Sequence, residues 1–377
     1  MKNRKLVYLV MLIAFSMILS GCAGNSALNN AVSWPGMTEE SGTVYVSYTS
    51  SVQAVADGKL VWKYPAEPDK GLMFFASPLV EDGKVYAATY QNEVHVLDQK
   101  TGALLNKITL GSNKNKILAS PAAGEGKLVI PSNDGSIYGF DLNNLTSPVW
   151  TTKHPSEIWV QPLIFENKVY IASLDKQIHV LDLESGKILK SQPSNGAVMS
   201  DLILSDGKIY FTTLGKDVSV YDPATDEITS LMTAQNEIWA SPLIVDDRII
   251  VADMGGNISC VDLTDGKSVW ALNATTPDGA DYIANPVALD NGNILFIAEN
   301  GDLLVYDIDG KSVNVRSANG KMMTTPVIVG DSVITAMIPG DALLRAYTFD
   351  LKEDWWYAES TATSTENTPE VTETSTK

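Results

Sequence analysis

A chain of 377 residues with a net charge of −18 and two cysteines is long enough to bury a large core and too acidic to suit nucleic acid or anionic headgroups. One cysteine, Cys22, sits at the end of a leader and the other is Cys260, so an internal disulfide cannot form once Cys22 is modified. Stability must therefore come from burial.

The chain opens with Lys2, Arg4 and Lys5 and then runs almost uncharged from Leu6 to Leu19, long enough for a secretory leader but short for a spanning helix. The run closes on Leu19-Ser20-Gly21-Cys22, a lipobox in which the Cys22 thiol accepts a diacylglyceryl group before becoming the mature N-terminus. Residues 1–21 are thus predicted to be a lipoprotein signal peptide. Residues 22–33 are the lipidated cysteine and a small, polar, flexible tether. Two or three acyl chains anchor a protein stably, which places the chain outside the cytoplasm on a cell membrane, the outer one where the organism has one.

From residue 34 to 358 one unit recurs at intervals of roughly 40 residues. A small residue, often followed by proline, opens each copy: Gly36, Ser77-Pro78, Ser120-Pro121, Gln161-Pro162, Ser200-Asp201, Ser241-Pro242, Asn285-Pro286 and Thr325-Pro326. Short apolar runs follow, separated by Gly, Asn and Asp, as in Pro78-Leu79-Val80, the turn Glu81-Asp82-Gly83, a strand from Lys84 to Ala88 and another from Glu93 to Asp98. Such runs read as antiparallel strands joined by hairpins, and no stretch holds a 3.6-residue period. A four-stranded sheet that is apolar on both faces cannot stand alone. The predicted fold is all-β, an eight-bladed β-propeller of four-stranded antiparallel blades, with an open solenoid as the lesser alternative. The ring closes either with Trp34 beginning blade 1 and Trp356 ending blade 8, or with residues 25–33 adding a strand to the last sheet. Residues 359–377 hold Ser, Thr and Glu with no apolar period and are predicted to be disordered.

The stretch Asp262-Leu263-Thr264-Asp265-Gly266-Lys267-Ser268-Val269-Trp270 resembles the pyrroloquinoline-quinone-like propeller repeat, and Asp182 to Lys187 and Asp98 to Gly102 match it in part. The resemblance implies that Asp and Gly shape a turn and that the tryptophan docks one blade on the next. Trp62, Trp150, Trp270 and Trp356 are assigned that structural role. Eight copies behind a lipobox are similar to the lipoprotein family of the outer-membrane barrel-assembly machine, which implies a scaffold and not an enzyme. The quinone-dependent dehydrogenases that share the repeat carry an adjacent cysteine pair and large inserted loops; this sequence has neither, so no cofactor is expected.

No phosphate loop, nucleophile elbow or metalloprotease motif is present. His95 and His179 occupy one position in non-adjacent copies and His154 lies in an inter-blade loop without an evident partner, so no metal site is predicted. Cys260 aligns with Val96, Val180, Val220 and Val305 and reads as a small core residue. The informative variation precedes each opening residue. Two positions before it stand Trp34, Phe75, Leu118, Trp159, Val198, Trp239, Ile283 and Met323; four before it stand, among others, Glu157, Glu237 and Asp281.

Glu157-Ile158-Trp159 and Glu237-Ile238-Trp239 nearly duplicate one another, and a carboxylate beside an indole at a channel mouth suits a cationic or amphipathic segment. The other reading packs the indoles between blades and leaves the glutamates in water. Glu157, Trp159, Glu237, Trp239 and Asp281 form the candidate binding face. The expected function is a non-enzymatic envelope scaffold for a protein partner, acting as a monomer held to lipid through Cys22, with membrane-protein assembly the role that the family resemblance implies. A ligand- or polymer-binding sensor is the alternative, and a quinone-dependent oxidoreductase the third.

Overall fold

The structure is a computed structural model and describes residues 35–358 apart from 68, 70, 113–114, 155, 275–280, 319 and 339–341. The leader, Cys22, the tether, Trp34 and the tail lie outside the described residues. Among the described residues, thirty-two strands form eight four-stranded antiparallel sheets, each built from consecutive strands. Blades 1 to 8 span 36–64, 79–109, 122–153, 163–193, 203–233, 243–273, 287–317 and 327–357.

Burial grades along each blade for a simple reason. The middle strands, such as Lys84–Ala88 and Glu93–Asp98, have nearly every side chain buried, because both faces of the sheet meet a neighbouring blade. The outermost strand, such as Leu104–Thr109, meets solvent and is mostly exposed. The innermost is short, three residues in Leu79–Glu81, because the ring narrows toward its axis. It turns into the second strand through Asp82 and Gly83, both at positive φ (48° and 70°), the two-residue hairpin whose twist matches the strands.

Eight buried apolar clusters fall one at each blade interface. The chain thus solves its size problem with eight small cores instead of one large one. The ring closes directly: Met37, Val44, Val46 and Val55 of blade 1 pack with Ile334, Ala336, Leu344 and Ala346 of blade 8. The Tyr357 hydroxyl donates to Gln53 Oε1 at 2.6 Å, and Thr324 Oγ1 donates to the Pro35 carbonyl at 2.6 Å. Among the described residues the last sheet has four strands, all from blade 8.

The turn motif and its tryptophan work as a dock. Asp98 accepts hydrogen bonds from Lys100 N and Thr101 N, Gly102 closes the turn at φ 69°, and the Trp62 ring of the preceding blade lies over Gly102 while its Nε1 donates to the Gln99 carbonyl at 2.9 Å. Trp150 over Gly186 and Trp270 over Gly310 repeat the arrangement. At the closure the assignment of Trp356 is corrected. Trp355, opposite Ala346 beside a β-bulge, covers Gly58, and Trp356 points the other way and is 55% exposed. Where no tryptophan is available, polar side chains reach across: Gln192 to the Asp226 carbonyl between blades 4 and 5, and Asn314 to the Asp350 carbonyl at 2.7 Å between blades 7 and 8.

Candidate functional site

The segments that carry the chain from one outer strand to the next inner strand converge on one mouth of the axial channel. Each is tied to the hairpin of the blade it enters: Leu174 N donates to the Glu157 carbonyl, Met254 N to that of Glu237, and Glu299 N to that of Asp281. Extended backbone then alternates burial. Ile158 and Val160 enter inter-blade cores, so Trp159 between them faces the mouth; Ile238 and Ala240 do the same for Trp239.

The same alternation corrects the frame of copy five. Val198 and Ser200 are both buried, and Met199 takes the position of Trp159 and Trp239. Ala197, whose carbonyl accepts from Leu214 N, corresponds to Glu157 and Glu237, and Asp201 is the residue equivalent to Gln161 and Ser241. Proline after the opening residue holds the frame in most other copies, and copy five lacks it.

The mouth therefore has two tiers. The outer tier is apolar: Phe75, Leu118, Trp159, Met199, Trp239, Ile283 and Met323. Trp159 is 42% exposed, and its Nε1 donates to Glu157 Oε2 at 2.8 Å. Glu157 and Glu237 stand outside the funnel on the exposed rim. Asp281 is half-buried on the same rim, and burial, with Glu299 second, holds its carboxyl above the usual range. The two Glu-Ile-Trp copies thus present their indoles inward and their acids outward, two blades apart.

The inner tier is polar and hydrogen-bonded around the ring. Asp201 N donates to Ser241 Oγ at 2.8 Å, Ser241 N to Asn285 Oδ1 at 2.7 Å, and Asn285 N to Thr325 Oγ1 at 3.2 Å. Asp201 is the one carboxylate in this tier, and Asn285 Nδ2 donates to its Oδ2 at 3.2 Å. Its side chain is solvent-accessible within the lumen yet closely surrounded by protein. That enclosure raises its pKa, outweighing the hydrogen bonds from Asn285 and Ser241 that lower it. In the sequence Asp201 is the single charged residue among eight equivalent positions, masked because copy five lacks the proline that marks the frame elsewhere.

Of the three histidines, His95 is a buried core group bonded to the Tyr64 hydroxyl at 2.9 Å and Glu93 at 3.1 Å. His154 does have partners. It lies with Asp175 and His179 in a compact group whose potential ligand atoms are all within 4.8 Å of one another. Asp175 supplies the link that sequence reasoning missed, since it sits in a hairpin turn like many others.

The funnel encloses about 210 Å³, less than the ~300 Å³ at which pockets for drug-sized ligands begin. Its features are an apolar collar, a charged rim and a narrow polar throat.

The outer membrane protein assembly factor BamB of Nitrosomonas eutropha is 22% identical over 187 residues, 49% of this chain and 44% of that protein. That of Marinobacter adhaerens is 27% identical over 115 residues, 30% of this chain and 27% of that protein. The matched stretches span less than half the length of these curated relatives. The crystal structure of BamB from Moraxella catarrhalis superposes with a TM-score of 0.69 at 17% identity, covering 84% of this chain and 95% of that one. A computationally designed protein, Ika8, superposes almost as well, at 0.68 and 16% identity, so these superpositions establish the fold alone. The family described as outer membrane protein assembly factor BamB matches residues 48–157 and 142–353, nearly the whole propeller, and the chain belongs to that family.

Proposed function

We propose that this protein is a non-enzymatic scaffold of the cell envelope, anchored through acylated Cys22, whose channel mouth holds a segment of a protein partner during membrane-protein assembly. The observation that carries the reading is the outer tier: seven large apolar side chains ring a narrow throat, with Trp159 and Trp239 among them. Aromatic anchors of this kind dominate interface energetics once water is excluded. Glu157, Glu237 and Asp281 on the arc of blades 4 to 7 add an acidic edge, so the complementary segment is apolar with flanking Lys or Arg. The names of the relatives supply the assembly role, and the modest throat volume supports a protein segment over an enclosed ligand.

The test is crosslinking in intact cells, recovery of the lipoprotein and mass-spectrometric identification of what stays attached. Truncating a hot-spot tryptophan costs about 2 kcal/mol or more, some thirtyfold in affinity. Trp159→Ala and Trp239→Ala are expected to lose a membrane-assembly component that the parent protein retains, with folding intact. Recovery of no protein partner, or of one unaffected by both variants, refutes the reading. The anchor is tested separately: Cys22→Ala should abolish acyl labelling and release the chain from the membrane fraction.

A further inference from the structure

The group formed by His154, Asp175 and His179 has no part in the mouth's proposed work, and its geometry is specific. His154 leaves the outer strand of blade 3, while Asp175 and His179 belong to the second hairpin of blade 4. Both histidines are buried, at 3% exposure each, with ring centroids 4.0 Å apart. His154 Nε2 and His179 Nε2 both point at one atom, Asp175 Oδ2, at 3.3 and 3.1 Å.

His179 Nε2 also lies 3.3 Å from Asp175 Oδ1, and these contacts serve as hydrogen bonds between the side chains, somewhat longer than the about 2.7–2.9 Å of charge-assisted ones. The two His–Asp separations are also close to the roughly 3.3 Å that parts ligands about 2.0–2.1 Å from a zinc ion, and all three potential ligand atoms lie within 4.8 Å of one another, so a modest side-chain adjustment brings them around one ion. The outer contacts are of the kind that orient metal ligands. His179 Nδ1 bonds to Ser191 Oγ at 2.7 Å, His154 Nδ1 faces the Ser156 carbonyl at 3.4 Å and the Ser156 amide at 3.2 Å, and the Asp175 carboxylate accepts from Ser173 Oγ and Gln177 Nε2. Asp175 keeps 19% of its side chain open to solvent, which leaves an entry path for an ion.

We infer that His154, Asp175 and His179 form a binding site for a divalent transition-metal ion, with zinc the best match. Two neutral imidazoles and one carboxylate suit zinc and its neighbours, and calcium and magnesium favour all-oxygen sets. The ion would join blade 3 to blade 4 at the root of the segment that carries Glu157 and Trp159. The site stands independently of the scaffold reading.

The experiment uses the full chain, purified in detergent without a histidine tag, and zinc and cobalt salts as probes. Calorimetric titration should give one zinc per chain. Zinc X-ray absorption should show two imidazole ligands, and cobalt should give the visible absorption of a tetrahedral site. Because the chain has three histidines and His95 is bonded elsewhere, a two-imidazole signature identifies His154 and His179 even without variants. His154→Gln, Asp175→Asn and His179→Gln are each expected to weaken binding about 100-fold, in line with the loss of a ligand or its orienting partner, while His95→Gln binds as the parent does. Absence of saturable one-to-one binding in the parent chain, fewer than two imidazoles on the ion, or affinity unchanged in all three variants overturns the inference.

Discussion

Gly186 and Gly266 close the same turn in blades 4 and 6, at φ 67° and 69°, each donating its N–H to the carbonyl of the motif aspartate at 2.8 and 2.9 Å. They differ in what lies above them. A Cβ on Gly186 would stand 2.4 Å from Cε3 of Trp150 and 2.8 Å from Thr152 Oγ1, whereas one on Gly266 meets nothing within 4 Å. Gly266→Ala should therefore cost only the left-handed backbone penalty, net about 1 kcal/mol after the entropy gained by stiffening the unfolded chain. Gly186→Ala carries that cost plus about 1–3 kcal/mol of overpacking against the indole. With a urea slope of about 3 kcal/mol per M, a 2 kcal/mol difference separates the two unfolding midpoints by roughly 0.7 M, followed by far-UV circular dichroism. Trp150→Ala alone should cost about 3–5 kcal/mol, since the ring is buried and its Nε1 donates to the Leu183 carbonyl at 2.8 Å. In that background the added cost of Gly186→Ala should fall toward that of Gly266→Ala. Equal midpoints for the two glycine variants, or strict additivity of Gly186→Ala and Trp150→Ala, would refute the docking account.

Asp201→Asn should raise the thermal midpoint at neutral pH. The folded-state pKa lies above the unfolded value of about 3.9, so ionisation of this carboxylate costs stability at neutral pH and the cost disappears below about pH 4. A gain that persists undiminished at pH 3 would contradict this. Cys260 is fully buried and burial pushes its thiol up to about 11, so native protein at pH 8 should be inert to thiol reagents. In denaturant, one reactive thiol per chain supports an acylated Cys22, and two would dismiss it. Tyr357→Phe should cost about 1–3 kcal/mol by leaving Gln53 Oε1 buried without this donor at the ring closure, checked by equilibrium unfolding; a neutral result would show the closure rests on the apolar contacts alone.

The repeat period, the alternating runs and the turn residues sufficed to reach eight four-stranded blades, because strand and hairpin preferences are local and the need to bury both faces of each sheet leaves few packings. Trp62, Trp150 and Trp270 were legible as inter-blade docks from the turn they accompany. Trp355 was not: a β-bulge opposite Ala346 decides which of two adjacent indoles faces the next blade, and a register shift leaves no mark on hydrophobic pattern. Val198 and Met199 posed the same problem, since one residue of phase separates a core side chain from one in the mouth.

The candidate face was half legible. Position alone put Trp159 and Trp239 at the channel, but only the assembled ring turned their acids to the rim, set Asp201 in the throat and joined Asp201 to Asn285 across 84 positions of sequence. His154, Asp175 and His179 met for a similar reason: one comes from blade 3 and two from blade 4, and the inter-blade packing, not the spacing, brings their atoms together. What the sequence by itself determined was whatever depends on near neighbours along the chain, the strands, turns and repeat. Burial phase at irregular copies, and every constellation shared between blades, was decided by the tertiary structure, because those contacts exist only once the ring has closed.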